Sequence, residues 1–204
     1  MKTDIYTLQK GDSDFRNIPA AAEKVGRYNE LDAKSALRLR LLSEEMICML
    51  PQLLKYGDGS FWIENNGRDY ELHLKVTPDD EIEMDVDKIL SVSKSGKNAA
   101  AKGIINKIVV AVEYMLYENA KIAKDDPYFY SMGMMDDPMY MMGYNGSMAW
   151  SLMSYRNNLE GSDEETEREE AWDELEKSII ANLADDVIVG IIGGVIDITV
   201  KKKF

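Results

Sequence analysis

The 204-residue chain has one cysteine, Cys48, and one histidine, His73. A single cysteine excludes an internal disulfide. The two residues together are too few ligands for a zinc site built from His and Cys. Any Ser-His-Asp or Cys-His arrangement would have to use His73, which falls in a strand pattern with no supporting motif. His73 therefore reads as an outward-facing strand residue. Cys48 lies in an apolar helical stretch and reads as a buried small hydrophobe rather than a nucleophile. No run approaches the roughly 18 apolar residues needed to span a bilayer. Met1-Lys2-Thr3-Asp4 is not followed by the apolar segment of a signal peptide. The expectation is a cytoplasmic protein with no membrane attachment. Positive charge is also scarce, with 24 Lys and Arg against 37 Asp and Glu, a net charge of −13. Such a field repels phosphate-bearing partners, so nucleic acid and anionic membranes are not expected ligands.

What is present is the composition of a globular protein, 45% apolar and 30% charged, long enough for one substantial core. Residues Ile5 to Leu8 read as a short strand. Ile18 to Tyr28 reads as a helix, with Pro19 near its start, where a missing N–H costs nothing. A longer helix is expected from Asp32, a plausible N-cap, to about Tyr56, with Gly57 as its stop. Leu37, Leu41, Leu42, Met46, Met49, Leu50 and Leu53 recur at helical spacing and predict its buried stripe. Pro51 predicts a kink or an early end.

Phe61 to Asn65 and Asp69 to Val76 flank Asn66-Gly67, a hairpin signal with positive φ at both turn positions. Leu72, Leu74 and Val76 alternate with Glu71, His73 and Lys75, giving one buried and one wet face. Ile82 to Val86 is a further strand candidate. Asn98 to Lys121 reads as a second long helix, its core face marked by Ile105, Ile108, Val109, Val112 and Leu116. From Tyr128 to Tyr155 the chain is rich in Met, Gly and Tyr, and eight of its thirteen methionines fall between Met132 and Met153. Asn145-Gly146-Ser147 reads as a turn. Ten acidic residues and one Arg fill Glu160 to Glu176. A helix begins near Thr166, where Thr166 and Glu169 have capping-box spacing, with Trp172, Leu175, Ile179 and Leu183 as its apolar stripe. Two strands, Asp186 to Ile191 and Val195 to Lys201, join at Gly193-Gly194. This order predicts an α/β protein, a two-layer sandwich of helices on a mixed, mostly antiparallel sheet. One domain is expected over residues 1–204, with a Met/Tyr-rich and acidic insertion at about 125–165.

Two segments resemble the histidine-kinase-like ATPase fold, in particular its anti-sigma-factor kinase branch. Leu31-Asp32-Ala33-Lys34-Ser35-Ala36-Leu37-Arg38-Leu39-Arg40-Leu41-Leu42-Ser43-Glu44-Glu45 looks like the helix bearing that family's first ATP motif. Leu183-Ala184-Asp185-Asp186-Val187-Ile188-Val189, through Gly193-Gly194 to Thr199-Val200-Lys201, is similar to its closing helix and hairpin. The Phe61 to Val76 hairpin falls where the family has one. The resemblance implies a catalytic glutamate at Glu45 and a magnesium-binding asparagine four residues on, where this chain has Met49. A thioether is too soft to hold Mg²⁺. The resemblance also implies an adenine-binding Asp in an Asp-x-Gly-x-Gly motif. Here Asp79 is present without the glycines. The place of the glycine-rich phosphate loop is taken by Asp163-Glu164-Glu165-Thr166-Glu167-Arg168-Glu169-Glu170, whose charge repels a triphosphate.

Three further patterns bear on function. Lys94-Ser95-Gly96-Lys97-Asn98-Ala99-Ala100-Ala101-Lys102-Gly103 opens a helix and offers an anion site, but it departs from a Walker A loop at Ser91 and Asn98. The methionine cluster suits Cu(I) or, ranked well above it, an adaptable protein surface or lid. The acidic run is a solvated face or a dock for a basic partner. The leading expectation is a regulatory domain that binds a protein partner on a degenerate scaffold, with no cofactor. The alternative is an ATP- and magnesium-dependent kinase or ATPase using Glu45 and Asp79 with a phosphate site rebuilt from Lys94, Lys97 and Asn98. A homodimer paired through a sheet edge is a third.

Overall fold

Two hairpins, each closed by a glycine-dependent turn, lie side by side in the sheet. The computed structural model describes residues 1–10, 15–79, 103–125, 149–160 and 165–204. The first hairpin joins β2 (Gly57–Asn66) to β3 (Asp69–Pro78) and the second joins β5 (Asp186–Ile192) to β6 (Val195–Lys203). Flanking strands β1 (Tyr6–Leu8) and β4 (Trp150–Ser151) complete a six-stranded sheet of order β1-β2-β3-β6-β5-β4. Among the described residues every pairing is antiparallel, in keeping with the helices-on-sheet sandwich and its mostly antiparallel sheet.

The turn chemistry explains both hairpins. Gly193 and Gly194 have φ of +56° and +79°, and Ile192 pairs with Val195 across them. This is the two-residue loop with positive φ at both positions that Gly-Gly favours. The β2–β3 turn differs from expectation. Asn66 pairs with Asp69, so the loop is Gly67-Arg68, and only Gly67 has positive φ, +61°. Glycine at the first loop position alone is the II′ pattern. The pairing moves by two residues, which leaves the faces unchanged because the side-chain period is two. Leu72, Leu74 and Val76 accordingly face the core, while Glu71, His73 and Lys75 lie on the other side.

Helices α1 (Asn17–Tyr28), α2 (Ala33–Leu53), α3 (Ile104–Asp125), α4 (Leu152–Glu160), α5 (Glu165–Lys177) and α6 (Ile179–Leu183) make the second layer. Asp32 caps α2, its Oδ1 accepting from the amides of Lys34 at 2.9 Å and Ser35 at 3.0 Å. Pro51 sits in the last turn, and α2 ends two residues later. Gly57 does not stop this helix but opens β2. A Cβ at Gly57 would lie 2.0 Å from the carbonyl oxygen of Thr77, so only glycine fits there. Leu37 is 47% exposed and Leu41 half-buried, against expectation, and Leu39 and Ala36 take their place in the core. The apolar helix expected through Ile179 is broken at Ser178, whose side chain caps α6 by accepting from the Ala181 amide. The break leaves Ile179 exposed and Ile180 buried. In α3, Ile108, Val109, Val112 and Leu116 are buried as expected, while Ile104 is more deeply buried than Ile105.

One apolar cluster runs from Leu8 through α2, α3 and α6 to β6. Within the range read as an insertion, residues 149–160 form β4 and α4, and Leu152 is fully buried. The Ile82 to Val86 segment and the methionine-rich stretch 128–148 lie outside the described residues.

Candidate functional site

Glu45 stands on the flank of α2 that faces α6. Its carboxylate accepts a hydrogen bond from the Ile180 amide, and burial, reinforced by neighbouring Glu44, raises its pKa above the ordinary carboxylate value. Met49, one turn on, is fully buried, as are Met46 and Leu42. These side chains belong to the apolar cluster that joins α2 to Leu72, Leu74 and Val76 of β3. The space between the first long helix and the sheet is therefore packed with hydrocarbon and thioether along this stretch.

Asp79 lies elsewhere. It follows β3 beyond Gly57 and Pro78, with its amide bonded to the Tyr56 carbonyl at 2.8 Å. Its Oδ2 accepts from Lys10 Nζ at 2.5 Å, and the Lys10 amide donates to Asp58 Oδ1 at 2.7 Å. The exit of α6, by contrast, is anchored where Asp185 bonds to Lys201, level with Glu71 at the other end of β3. Glu71 and Asp79 are about 26 Å apart along the strand at its usual rise. Glu45 and Asp79 thus serve different contacts, one tying helix to helix and the other pinning the segment after β1. Lys94, Lys97 and Asn98 lie outside the described residues.

Cys48 is exposed, not buried as its apolar neighbours suggested. Partial burial and the adjacent Glu45 and Glu44 push its thiol pKa up, which suppresses the thiolate a nucleophile needs. Among the described residues, no group of three His, Cys, Asp or Glu is placed to hold a metal ion.

The sheet face away from the helices carries a cluster that no sequence motif announced. Trp62 and His73 are cross-strand partners, and so are His73 and Thr199. His73 Nδ1 lies 3.1 Å from Thr199 Oγ1, and Nε2 faces Glu71 at 3.5 Å without a hydrogen bond. The Lys2 ammonium sits 4.5 Å from the centre of the Trp62 ring, a cation–π distance. Lys75 pairs with Asp197 at 2.9 Å beside it. Alternation within β3 was the available signal, because it placed His73 and Lys75 on one face.

Two polar ties lock the helical layer. Glu113 accepts from Lys55 Nζ and from Tyr56 OH, each at 2.9 Å. Lys107 bridges Tyr155 OH at 2.8 Å and Glu174 at 2.5 Å, joining α3, α4 and α5. A separate cleft of about 400 Å³ opens between the N-terminal segment, α1 and β2, lined by Tyr6, Ile18, Ala22, Val25, Phe61 and Ile63 among others. The ammonium of Lys2, another lining residue, is drawn instead to Glu64 and Trp62.

Comparison with known proteins returned no match among family models, curated proteins or solved structures. No helix among the described residues is long and apolar enough to cross a membrane.

Proposed function

We propose that this chain is a non-catalytic regulatory or protein-interaction domain on a histidine-kinase-like ATPase scaffold that no longer binds magnesium and ATP. The observation that carries this reading is Met49. The resemblance puts a magnesium-ligating asparagine at that position, and here the side chain is a fully buried thioether. Hard-oxygen coordination cannot be built from it. Glu45, the position of the catalytic glutamate, spends its carboxylate on the Ile180 amide, and Asp79, the position of the adenine ligand, is paired with Lys10. What is left is a framework whose use is to present a surface. A cytoplasmic location accords with a chain holding a single cysteine.

The test is a thermal-shift titration with ATP, ADP and GTP, with and without magnesium. A ligand at about a hundred times its dissociation constant stabilises a fold by about 2.7 kcal/mol. The expected result is no shift at millimolar nucleotide. A magnesium-dependent shift would overturn the proposal in favour of a nucleotide-dependent kinase or ATPase.

A further inference from the structure

Helix α2 carries two stripes. One, which includes Leu39, Leu42, Met46 and Met49, faces the core. On the opposite side, steps of three and four residues bring Lys34, Leu37, Leu41, Glu44 and Cys48 into a single line. Leu37 is 47% exposed and Leu41 half-buried, and Cys48 is open to solvent. The line runs between α1, which reaches α2 through Glu23 and Arg40, and α6, which reaches it through Ile180 and Glu45. Ile179, 42% exposed, adds apolar surface on the α6 side. A three-four spacing with leucines at its centre is the seam of a two-helix contact, and the described residues leave Leu37 exposed and cover Leu41 only in part.

Charge along the seam selects the occupant. Its N-terminal half is basic, with Lys34 and Arg38, and its C-terminal half is acidic, with Glu44 and Glu45. Lys34 has no ion pair among the described residues, and Glu44, 41% exposed, is ion-paired through Oε1 with Arg40 of its own helix at 2.9 Å, so that Lys34 of a second copy would share this carboxylate. A two-fold axis crossing α2 level with Leu39 sets Leu37 against the Leu41 of a second copy and Lys34 against its Glu44, each contact made twice. Parallel in-register pairing would instead stack Lys34 on Lys34 and Glu44 on Glu44.

We propose that two copies of this chain associate through an isologous, antiparallel contact of their α2 helices, with Leu37 on Leu41 and Lys34 paired to Glu44 across the interface. The association goes beyond the regulatory reading and holds whether or not a nucleotide binds. One seam is smaller than the roughly 1,200 Å² of a standard stable interface, so the dimer is reversible and concentration-dependent.

The experiment is sedimentation of the full chain under reducing conditions, from micromolar to millimolar concentration. The wild type is expected to pass from monomer to dimer. K34E and E44K alone should each weaken dimerisation by about tenfold or more, since like charges then face each other. An equimolar mixture of the two single variants restores opposite charges at both contacts and should dimerise again, as should the K34E/E44K double variant. L37Q provides a further loss-of-dimer variant at an exposed position, with unchanged melting temperature showing that the fold is intact. A wild type that stays monomeric throughout overturns the proposal. So does a dimer indifferent to the charge variants, and so do single variants that fail to recover on mixing. Oxidation adds a check on orientation. In the antiparallel register the two Cys48 residues are about 27 Å apart along the helices, too far for a disulfide, so a Cys48-linked dimer would refute this geometry. A monomer would leave the regulatory reading standing, because that rests on the nucleotide titration.

Discussion

Trp62 and His73 stand opposite each other on β2 and β3, their rings 4.8 Å apart and within 13° of parallel. The stack half-buries the imidazole. Burial lowers its pKa below the usual 6.5, and nearby Glu64, Glu71 and Asp197 oppose that shift without reversing it. The folded state therefore binds this proton less readily than the unfolded chain. The stabilisation is complete above pH 6.5 and is lost as the pH falls through the lower folded value. Melting temperature should decline as the pH falls below 6.5, and His73→Gln should flatten that decline. The carboxylates with lowered pKa, Glu23, Asp32 and Glu64, act in a separate window below 4.5.

Glu45→Gln should stabilise the protein at neutral pH. The raised pKa means that ionised Glu45 is disfavoured in the fold, first by burial and then by Glu44. Glutamine removes the charge and keeps an oxygen for the Ile180 amide. Because the group is partly exposed, solvent screening limits the gain to about a degree or two in melting temperature. The gain should shrink as the pH falls through the raised folded pKa of Glu45 and vanish below the unfolded value of 4.5, where the side chain is neutral in both states. A loss of stability at neutral pH would contradict this assignment of Glu45 to a structural contact.

The two glycines Gly57 and Gly190 predict opposite outcomes for the same substitution. Gly57→Ala drives a methyl group into the Thr77 carbonyl and should cost about 2–3 kcal/mol in urea unfolding. At Gly190, no atom lies within 4 Å of an added Cβ, and alanine there should change stability by less than about 0.5 kcal/mol. Equal effects at the two positions would mean that the β2–β3 register described here is wrong.

Met49→Asn introduces the residue type that the proposed resemblance puts at this position, and places an amide in apolar packing. The expected cost is about 3 kcal/mol, with no nucleotide-dependent stabilisation. Met49→Leu, which conserves volume, should cost less than about 1.5 kcal/mol. A nucleotide response in Met49→Asn would show that this region of α2 opens to ligand.

The Gly193-Gly194 turn, the Asp32 cap and the alternation of Leu72, Leu74 and Val76 were all legible in the sequence, because each depends on a few adjacent residues. The face of α2 was not. Leu37, Leu39, Leu41 and Leu42 lie so close together that helical period alone allows more than one buried stripe. The choice is made by α1, where Gly26 lets the chain approach Ala36 so closely that an added Cβ would be 3.2 Å from the Ala36 Cα. That approach turns Leu39 inward and leaves Leu37 outside. Cys48 follows the same rotation.

By itself the sequence determined the α/β class, the two hairpins and the capped start of α2, since turn and cap chemistry act over a few bonds. Only the tertiary structure decided that Gly57 opens a strand instead of ending a helix, because the atom that excludes a side chain there belongs to Thr77. In the same way Trp62 meets His73, and Glu45 meets Ile180, across distances along the chain that no local period spans. These contacts are set by packing between elements, and so by the whole chain at once.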